Sequence, residues 1–584
     1  MTKGIGRTWA VCDVLVLSVL GQAFSAPVAP VSSSKPGETQ AQFDARTAWF
    51  REAKFGVFIC WGPCSIAEGE IGWSRFGPRP GREPAAGGVP LETYDNLYRQ
   101  FNPAQFDAKQ WARLVKAAGA SYVIFLTKHH DGFCMFDTEQ TDYKITKTPF
   151  GRDVTGELAR ALQQEGIRIL WYYSQPDWHH PDYRTERHDS YVHYLHEQIR
   201  ELCSNYGKID GMWFDGLGGS ADDWDSPALL AMIHSLQPGA IINNRAGLPG
   251  DFVTPEQQIG RFDIDQPWES CITMGVGWSW RGADKPVKST KECLHLLIRC
   301  AGGGGNLALD IGPMPDGAID PRQQQRLTEM GKWLREYGET IYGTTGGPYH
   351  PGGWGVSTRK GDRVFLHILN WRGPKLVLPP LGQRIKSYST LNAGAAQIEQ
   401  TDEALTVSVP AGERDETDTI VVLHLHQDAS DIEPISLIAA GSLTTGRPAT
   451  SSSNWSEGYT ASMAFDADES TRWGAEPGST SGWLGIDLGA PKTIDKALIL
   501  EGPWDRVRKF ELQYRRDGAW QTFYEGEGMG DLALHLAPVT ARHFRINILQ
   551  ATDVPTIWEV CLYGPDAELP YVAARVVDAT SREP

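Results

Sequence analysis

Short apolar runs that alternate with helical patterns are the feature that most constrains the fold of this chain. Between residues 40 and 345 the runs are continuous rather than alternating in polarity, as expected for strands buried on both faces of a parallel sheet. They lie at residues 55–61, 122–127, 167–173, 211–214, 240–242 and 306–311. Helical patterns at 106–118 and 155–165 separate some of them, and Gly119 and Gly166 end these two helices.

Polar clusters follow these runs and distinguish between two parallel-sheet architectures, a closed barrel and an open doubly wound sheet. Such clusters stand at residues 128–131, 174–178, 215–216 and 243–245. A closed barrel gathers the carboxyl ends of all its strands around one axis, whereas an open sheet concentrates polar residues near one switch point. Several clusters after different strands therefore favour a (β/α)8 TIM-like barrel at 40–345.

The rest of the chain has the pattern of short alternating strands. With 584 residues the chain is too long for one hydrophobic core. We expect a multidomain α/β plus all-β protein, in which the barrel is followed by two β-sandwich domains at 346–427 and 435–565 and by a tail at 566–584. A polar linker near 427–434 separates the two sandwiches.

The N-terminus predicts export. Lys3 and Arg7 precede an apolar run at 11–20, which Asp13 interrupts, and small residues follow at Ser25 and Ala26. This pattern predicts a signal peptide at 1–28 and a secreted or periplasmic protein; the alternative is an unprocessed N-terminus. No later stretch has the roughly 20 apolar residues of a spanning helix, so we expect no membrane span.

Charge and cysteine spacing exclude other classes of partner. The formal net charge is −17, from 55 basic and 72 acidic residues, which argues against nucleic acid as a partner. The nine cysteines have neither zinc-site spacing nor the spacing of a disulfide framework. Neither observation indicates an oligomeric state or a disulfide pairing.

Asp215 is the first candidate for a catalytic role. It ends the run at 211–214, where a carboxylate faces the mouth of a barrel. Glycoside hydrolysis needs a nucleophilic or basic carboxylate and a second carboxylic acid that protonates the leaving oxygen. A helix cap or a loop anchor is the structural alternative for a strand-end aspartate.

Two glutamates compete for the role of the acid. Glu256 follows the Asn-Asn-Arg strand end, and Glu269 lies in the segment Pro-Trp-Glu-Ser-Cys. Desolvation beside aromatic residues raises the pKa of a glutamate. A general acid that works near neutral pH needs such a raised pKa, because it must hold its proton at that pH. We favour Glu256 and keep Glu269 as the alternative; the alternative role for both is a surface salt bridge.

The pair His129–His130 is interpreted as a sugar-binding feature. Adjacent residues on a strand point to opposite faces, so the pair is expected to be a poor metal chelate. No second cluster of histidine or cysteine has ligand spacing. We therefore expect hydrogen bonds to sugar hydroxyls and no cofactor for catalysis.

Residues 47–345 resemble glycoside hydrolase family 29, the retaining α-L-fucosidases. The matching segments, in order, lie at 53–65, 128–138, 151–159, 172–178, 205–216, 242–245, 250–256, 267–273, 304–313 and 337–344. The resemblance implies that Asp215 is the nucleophile and that Glu256 is the acid/base of some members. It also implies a fucose pocket, to which the following residues are assigned: Cys60, Trp61, Glu70, Trp73, His129, His130, Tyr172, Tyr173, Trp213 and Arg245.

Two departures from this family concern the first loop. The family often has histidine before Trp-Gly, where this chain has Cys60 before Trp61. A thiol is a weaker hydrogen-bond partner than an imidazole. The Glu-Trp pair of the family is matched only loosely, by Glu70 and Trp73 with Ile71 and Gly72 between them.

Residues 435–565 resemble the discoidin, or coagulation factor 5/8 C-type, domain, which is grouped with family 32 sugar-binding modules. The segments at 461–473, 483–489 and 542–548 carry the resemblance. It implies a structural calcium ion held by Asp466, Asp468, Thr471 and Glu559, whose hard oxygen atoms suit calcium. A calcium-free loop stabilised by Asx turns is the alternative.

The expected function is hydrolysis of terminal α-L-fucosyl linkages of glycans by double displacement, with a fucosylated glycan as the partner. Two alternatives remain at this point. One is a retaining hydrolase of another L-sugar, such as an α-L-galactoside. The other is a catalytically weakened glycan-binding protein, which the departure at Cys60 favours.

Overall fold

A computed structural model describes residues 33–80, 88–371, 373–438, 441–468, 471–501, 506–567, 569 and 575–579. The predicted signal peptide at 1–28 lies outside these residues. The α-helices of the described residues are α1 Gln40–Ala53, α2 Leu91–Asn96, α3 Ala108–Ala117, α4 Val154–Glu165, α5 His188–Ser204, α6 Ala221–Trp224, α7 Ser226–Leu236, α8 Thr290–Gly302 and α9 Pro321–Tyr337. Within the described ranges, none of these helices has the length and apolar character needed to cross a membrane.

The first part of the chain forms a parallel sheet in the strand order β7-β6-β5-β4-β1-β9-β8. Its strands, together with a short two-stranded ribbon of β2 and β3, are β1 Phe55–Ile59, β2 Arg75–Phe76, β3 Val89–Pro90, β4 Tyr122–Lys128, β5 Arg168–Tyr173, β6 Gly211–Phe214, β7 Ile241–Ile242, β8 Glu269–Thr273 and β9 Asn306–Ile311. The predicted parallel α/β architecture is confirmed.

A short extended segment at 252–257 closes this sheet into a barrel. Its parallel bridges are Asn243 to Phe252 on one side, and Val253 to Trp268 and Glu256 to Cys271 on the other. The segment thus takes the place of a strand between β7 and β8. No described α-helix lies between β7 and this segment, or between the segment and β8, so two successive crossings of the barrel are made without helices.

Side chains of the barrel strands alternate between two apolar clusters, because successive residues of a strand point to opposite faces. In β5, Leu170 and Tyr172 belong to the inner cluster. Ile169, Trp171 and Tyr173 belong to the outer cluster, which packs the sheet against the helices. Residues of the inner cluster therefore point toward the barrel axis, and this alternation decides which residues can reach the mouth.

Local signals in the sequence fix the ends of the helices. The Asp107 side chain accepts hydrogen bonds from the backbone of residues 109 and 110 and begins α3. Gly166, at φ 73°, ends α4 in the left-handed conformation that glycine tolerates. Apolar residues of α3, among them Trp111 and Val115, are buried against the sheet.

Two β-sandwich domains follow the barrel, as predicted. The first pairs a sheet in the order β10-β11-β12-β17-β14 with a sheet in the order β13-β16-β15. Its strands are β10 Thr345–Gly346, β11 Gly355–Lys360, β12 Arg363–Ile368, β13 Lys375–Leu378, β14 Ile385–Thr390, β15 Gln397–Gln400, β16 Leu405–Ser408 and β17 Thr419–Leu425. Its core includes Trp354, Leu366 and Val421.

The second sandwich has a main sheet in the order β18-β20-β23-β21-β22, with β25 beside β20 and β26 beside β23. Its strands are β18 Ala449–Ser451, β19 Trp473–Gly474, β20 Gly482–Leu500, β21 Val507–Arg516, β22 Ala519–Glu527, β23 Asp531–Ala551, β24 Thr556–Ile557, β25 Glu559–Tyr563 and β26 Arg575–Asp578. Because β26 runs parallel to β23, part of the predicted tail belongs to this sheet.

The eight cysteines of the described residues are buried free thiols. Seven of them lie in the barrel, where they belong to the apolar clusters inside and outside the sheet, and Cys561 lies in the second sandwich. Their burial is the usual environment of a free cysteine, which packs as a small apolar residue.

Candidate active site

Asp215 follows β6 at the mouth of the barrel, where its side chain is 14% exposed. The Tyr172 hydroxyl donates a hydrogen bond to Oδ2 over 2.9 Å. Arg245 Nη1 lies 3.3 Å from Oδ1, and His130 Nε2 lies 3.5 Å from Oδ2. Three side chains from three different strand ends thus hold one carboxylate in place.

The protonation of Tyr172 follows from its surroundings. Burial and, next, the charge of Asp215 raise the pKa of the Tyr172 phenol well above its ordinary value. The phenol therefore keeps its proton and acts as a hydrogen-bond donor toward the carboxylate. Tyr172 also stacks on Trp213, with ring centroids 5.5 Å apart.

Arg245 joins the two carboxylates of the site. Its Nη1 lies 2.9 Å from Glu256 Oε2 and 3.3 Å from Asp215 Oδ1. Thr254 fixes the rest of the guanidinium, since Nε donates to its Oγ1 over 2.8 Å and Nη2 to its carbonyl oxygen over 2.9 Å. Burial opposes the charge of Arg245, but Asp215 and Glu256 outweigh it and raise the pKa of the guanidinium.

Glu256 lies near the end of the segment that closes the barrel, and its side chain is 43% exposed. It therefore stands at the rim, open to solvent on one side and in contact with Arg245 on the other. A carboxyl group in this position can exchange a proton with a group that leaves toward solvent. The structure brings Asp215, Arg245 and Glu256 together as the sequence predicts.

Glu269 does not reach the mouth, which corrects the alternative assignment of the acid. It is the first residue of β8 and is fully buried. Its backbone pairs with Val253, three residues before Glu256 along the parallel neighbour. Active-site residues of a barrel come from the carboxyl ends of strands, and Glu269 lies at the opposite end.

The two adjacent histidines face the same site, so the prediction that they point to opposite faces is wrong. Their rings are 4.1 Å apart, and nitrogen atoms of both lie with an oxygen of Asp215 in a cluster no wider than 4.8 Å. The reason is that β4 ends at Lys128, after a register shift, and strand alternation does not extend to them.

The two rings differ in their partners. Ser174 donates its hydroxyl hydrogen to the Pro176 carbonyl, so its oxygen accepts a hydrogen bond from His130 Nδ1. This leaves His130 Nε2 facing Asp215. Burial and the neighbouring His130 lower the pKa of His129 well below its ordinary value, so His129 is neutral.

Trp73 lies beside the histidines, in an aromatic group at the rim. Its ring centroid is 5.4 Å from that of His130 and 5.3 Å from that of Trp178. The Arg79 guanidinium lies over both indole rings, at 5.4 Å from Trp73 and 5.0 Å from Trp178. Trp73 therefore lies beside His130 at the rim, together with Trp178 and Arg79, which the sequence did not indicate.

Trp61 and Tyr173 point away from the pocket, and their assignment to it is corrected. Trp61 packs against Phe101 and Trp111 in the outer cluster, at 5.2 Å in both cases. The Tyr173 hydroxyl donates to Gln198 on α5 over 2.7 Å. Each is the outward neighbour of an inward residue, Cys60 and Tyr172, because strand side chains alternate.

Cys60 and Glu70 lie on the wall of the barrel mouth rather than against Asp215. Burial and the nearby Asp310 raise the pKa of the Cys60 thiol well above its ordinary value. Glu70 Oε1 accepts from the backbone nitrogen atoms of Trp278 and Ser279 over 3.0 and 3.2 Å. Glu70 thus ties the first loop to the loop after β8.

Gly72 lies directly before Trp73 in the first loop. It adopts φ 65°, and a Cβ atom at this position would lie 2.5 Å from Nδ1 of His129. The His129 ring therefore packs directly on the backbone of Gly72. This contact explains why residue 72 has no side chain in this chain.

Sequence reasoning missed several residues of the site. Thr254 holds Arg245, and Ser174 holds His130. Both lie in segments that match the family, 250–256 and 172–178, so position in those segments was the available signal. Arg79 has no comparable signal, since it comes near the site only through the fold of the first loop.

Of the predicted calcium ligands in the second sandwich, Thr471 and Asp466 are hydrogen-bonded to each other, and Glu559 contacts the same loop. Thr471 Oγ1 donates to Asp466, with 2.8 Å to Oδ2, and the backbone nitrogen of Asp468 lies 3.0 Å from Asp466 Oδ1. Glu559 Oε2 accepts from the backbone nitrogen of Ala467 over 3.0 Å. The hard oxygen atoms of these residues suit calcium, and Asp466 and Glu559 each also accept a hydrogen bond from this loop.

Comparison with known proteins assigns the barrel to a protein family. Residues 24–339 match the family model described as alpha-L-fucosidase, and residues 448–560 match the model of the F5/8 type C domain. The chain belongs to the α-L-fucosidase family. The resemblance predicted from the sequence is confirmed for both regions.

Individual relatives agree with this assignment. The human tissue alpha-L-fucosidase is 31% identical over 360 residues, which cover 56% of this chain and 76% of the relative. Human plasma alpha-L-fucosidase is 28% identical over 401 residues, which cover 63% of this chain and 84% of the relative.

Solved structures of the α-L-fucosidase family have the same fold over about two thirds of this chain. The alpha-L-fucosidase isoenzyme 1 from Paenibacillus thiaminolyticus has a TM-score of 0.60 and 35% identity, covering 66% of this chain and 100% of its own. The Thermotoga maritima alpha-fucosidase has a TM-score of 0.56 and 28% identity, covering 66% and 98%. A Bacteroides thetaiotaomicron fucosidase described as a trapped covalent intermediate has a TM-score of 0.58 and 28% identity, covering 68% and 98%.

Proposed function

We propose that the protein is a retaining, exo-acting α-L-fucosidase that hydrolyses terminal α-L-fucosyl linkages of glycans. Asp215 is the nucleophile and Glu256 is the general acid/base. Family membership supports fucoside hydrolysis, and the contact of both carboxylates with Arg245 supports the two roles. The catalytic steps use side chains of the protein and need no cofactor.

The spacing of the carboxylates supports retention of configuration. Because both contact the same Nη1, at 3.3 and 2.9 Å, the two oxygen atoms that face it are at most about 6 Å apart. Retaining glycosidases place their carboxyl groups roughly 5–5.5 Å apart, whereas inverting enzymes need about 6.5–9.5 Å for a water molecule.

The first half of the reaction forms a glycosyl-enzyme. Asp215 attacks the anomeric carbon while Glu256 gives its proton to the leaving oxygen. Tyr172 and Arg245 orient the attacking oxygen atoms, and His129 and His130 offer nitrogen atoms to sugar hydroxyls at the same place. Trp213 and Trp73 supply apolar surface next to the sugar.

The second half releases L-fucose. Glu256, now ionised, removes a proton from water, which attacks the anomeric carbon and displaces Asp215. Configuration is retained, since two inversions occur in sequence. Arg245 remains in contact with both carboxylates as their charges change in opposite directions.

Azide distinguishes the two carboxylates in one experiment. Wild type, Asp215→Ala and Glu256→Ala are assayed on an aryl α-L-fucoside with and without azide. Azide should rescue Asp215→Ala with formation of the β-L-fucosyl azide and Glu256→Ala with formation of the α-L-fucosyl azide. Inverted sugar in the first turnovers of the wild type, or rescue of neither variant, would contradict the assignment.

A second candidate is hydrolysis of an α-L-galactoside, which differs from the fucoside by one hydroxyl group. Asp310 favours it, because among the described residues only the thiol and backbone of Cys60 donate toward the oxygen atoms of this buried inward carboxyl. Burial raises its pKa well above the ordinary value, so it can donate to a sugar hydroxyl. A higher kcat/KM on the aryl galactoside than on the aryl fucoside would establish this candidate; binding of both without turnover would indicate a glycan-binding protein.

We also propose that the protein is exported from the cytoplasm and that its second sandwich binds a calcium ion. The basic start and apolar run of the N-terminus support export, and the hard oxygen atoms of Asp466, Asp468, Thr471 and Glu559, which the family resemblance assigns to calcium, support the metal site. Identification of the N-terminal residue of the mature protein tests the first. Metal analysis after dialysis against calcium tests the second.

A further inference from the structure

Glu269 lies inside the barrel, at the end opposite to the mouth, and the proposed mechanism does not use it. Its side chain is fully buried. Oε1 accepts a 3.1 Å hydrogen bond from Trp213 Nε1, and Oε2 accepts a short hydrogen bond from the Tyr122 hydroxyl. Burial of a carboxylate costs free energy of folding, and the hydrogen bonds that offset this cost also hold the groups of the network rigidly in place.

Trp213 connects this carboxylate to the partners of Asp215. Glu269 contacts the nitrogen at the edge of the indole, while the Arg245 guanidinium carbon lies 4.6 Å from the ring centroid. Tyr172 stacks on the same indole with an interplanar angle of 25°, and Phe58 meets it edge-on at 5.4 Å. The plane of the indole therefore determines where Arg245 and Tyr172 lie.

We infer that Glu269 is a positioning residue: its carboxylate fixes the indole of Trp213 and, through it, the two side chains that hydrogen-bond Asp215. This role rests on the proposed function of Asp215. Glu269 touches neither substrate nor nucleophile, because the indole lies between it and Arg245. Its effect on the reaction passes through the orientation of Asp215.

The two charge states of Glu269 hold the indole differently. In the ionised form both oxygen atoms accept, from Trp213 Nε1 and from the Tyr122 hydroxyl. In the protonated form the carboxyl must donate to Tyr122, whose oxygen also faces Asn306 Nδ2 at 3.5 Å, and the phenol hydrogen then loses its acceptor. Charge-assisted hydrogen bonds are also stronger than neutral ones. The ionised form therefore fixes Trp213 more firmly.

The pKa of Glu269 places the change between these forms near neutrality. Burial raises it to about 7, against the hydrogen bonds from Tyr122 and Trp213, which lower it. The titratable groups that sense its charge are Tyr122, Cys271 and Cys300, and burial raises the pKa of all three, so they stay neutral at pH 7. Glu269 is thus the group of this cluster that changes charge between pH 5.5 and 8.

Glu269→Gln imitates the protonated form at every pH and tests the inference. Its amide oxygen can accept from Trp213 and its NH₂ can donate to Tyr122, so the fold is preserved. We expect kcat/KM within about threefold of wild type at pH 5.5, and about tenfold lower at pH 8, mainly through kcat. The exposed Glu92→Gln serves as the control and should match wild type at both pH values.

Tyr122→Phe is a second variant, for which the inference predicts the direction in which the midpoint of the pH profile moves. It removes a donor that favours the ionised form, so the midpoint of the pH profile should move to higher pH. Infrared difference spectra of wild type minus Glu269→Gln should show a protonated carboxyl band that disappears as pH rises through about 7. This readout does not require activity on any fucoside.

The outcomes separate the inference from the proposed function. A wild type that hydrolyses no α-L-fucoside contradicts the proposed function, and the infrared titration then still tests the charge of Glu269. A ratio of wild-type to Glu269→Gln activity that does not change with pH overturns the positioning role. Azide rescue of Glu269→Gln would overturn it as well, because that result makes Glu269 the acid/base.

Discussion

The Tyr172 hydroxyl donates a 2.9 Å hydrogen bond to Oδ2 of Asp215. A hydrogen bond to a charged group contributes roughly 1.5–3 kcal/mol. If this contact orients the nucleophile, Tyr172→Phe should lower kcat/KM on an aryl α-L-fucoside about 10- to 100-fold.

The neighbouring Tyr173 is the matched control for this prediction. Its hydroxyl donates to Gln198 on the outer face of the barrel, over 2.7 Å. Tyr173→Phe should therefore cost about 1 kcal/mol of stability, seen as a lower Tm, while kcat/KM stays near that of wild type. Equal losses of activity in both variants would argue against a specific role of Tyr172.

Gly72 and Gly151 form a second matched pair, for the packing of His129. Both have positive φ, 65° and 63°, so alanine costs roughly 1–2 kcal/mol of backbone strain at either position. Only at Gly72 would the new Cβ collide with His129, since nothing lies within 4 Å of the Cβ position at Gly151. We expect both variants to have a lower Tm and only Gly72→Ala to lose most of its kcat/KM.

His350 makes stability depend on pH. Burial lowers its pKa from 6.5 to about 4. The unfolded chain therefore binds a proton that the folded protein does not between about pH 6.5 and 4, and stability falls as pH falls through this window. Since the imidazole is partly exposed, we expect roughly 1–2 kcal/mol from this residue at pH 5.

His350→Asn tests this sign. The Tm of wild type should fall between pH 7 and pH 5, and the Tm of the variant should fall less. His543→Asn is a control at a more exposed histidine, whose side chain is 38% exposed. A variant that loses as much Tm as wild type on acidification would show that His350 does not contribute.

Calcium should stabilise the second sandwich if the proposed site binds it. Ligands that bind only the folded state stabilise it by RT ln(1 + L/Kd), where L is the free ligand concentration, so Tm rises with the logarithm of that concentration once it exceeds Kd. We expect calcium to raise the Tm of the transition of this domain and EDTA to lower it. Asp466→Asn should abolish the response, whereas Asp487→Asn, which breaks a surface ion pair with Arg542, should keep it.

Two of the six continuous apolar runs could be predicted to the residue, and the other four differ from their strands by one or two residues at one end. The runs at 211–214 and 306–311 coincide with β6 and β9, since buried parallel strands have no polar face to blur their ends. β8 was not predicted as a strand, because Glu269, Ser270 and Thr273 break its apolar character. The closing segment at 252–257 has only isolated bridges and no strand pattern to detect.

For the site, the sequence indicated which strand ends converge but not which face each residue takes. Tyr172 and Tyr173 are adjacent and identical, and only the phase of the alternation places Tyr172 inside. The same uncertainty led to the wrong assignment of Trp61. For His129 and His130 the error was opposite, since alternation was assumed past the end of β4, where the backbone no longer follows it.

The segment at 252–257 joins the barrel wall with no helix before or after it. Helix α1 covers these helix-free connections instead: Arg46 pairs with Asp251 before the segment, and Arg51 donates to the carbonyl oxygen atoms of Ile264 and Asp265 after it. A change of length in either connection would therefore act on α1, which leads directly into the first barrel strand.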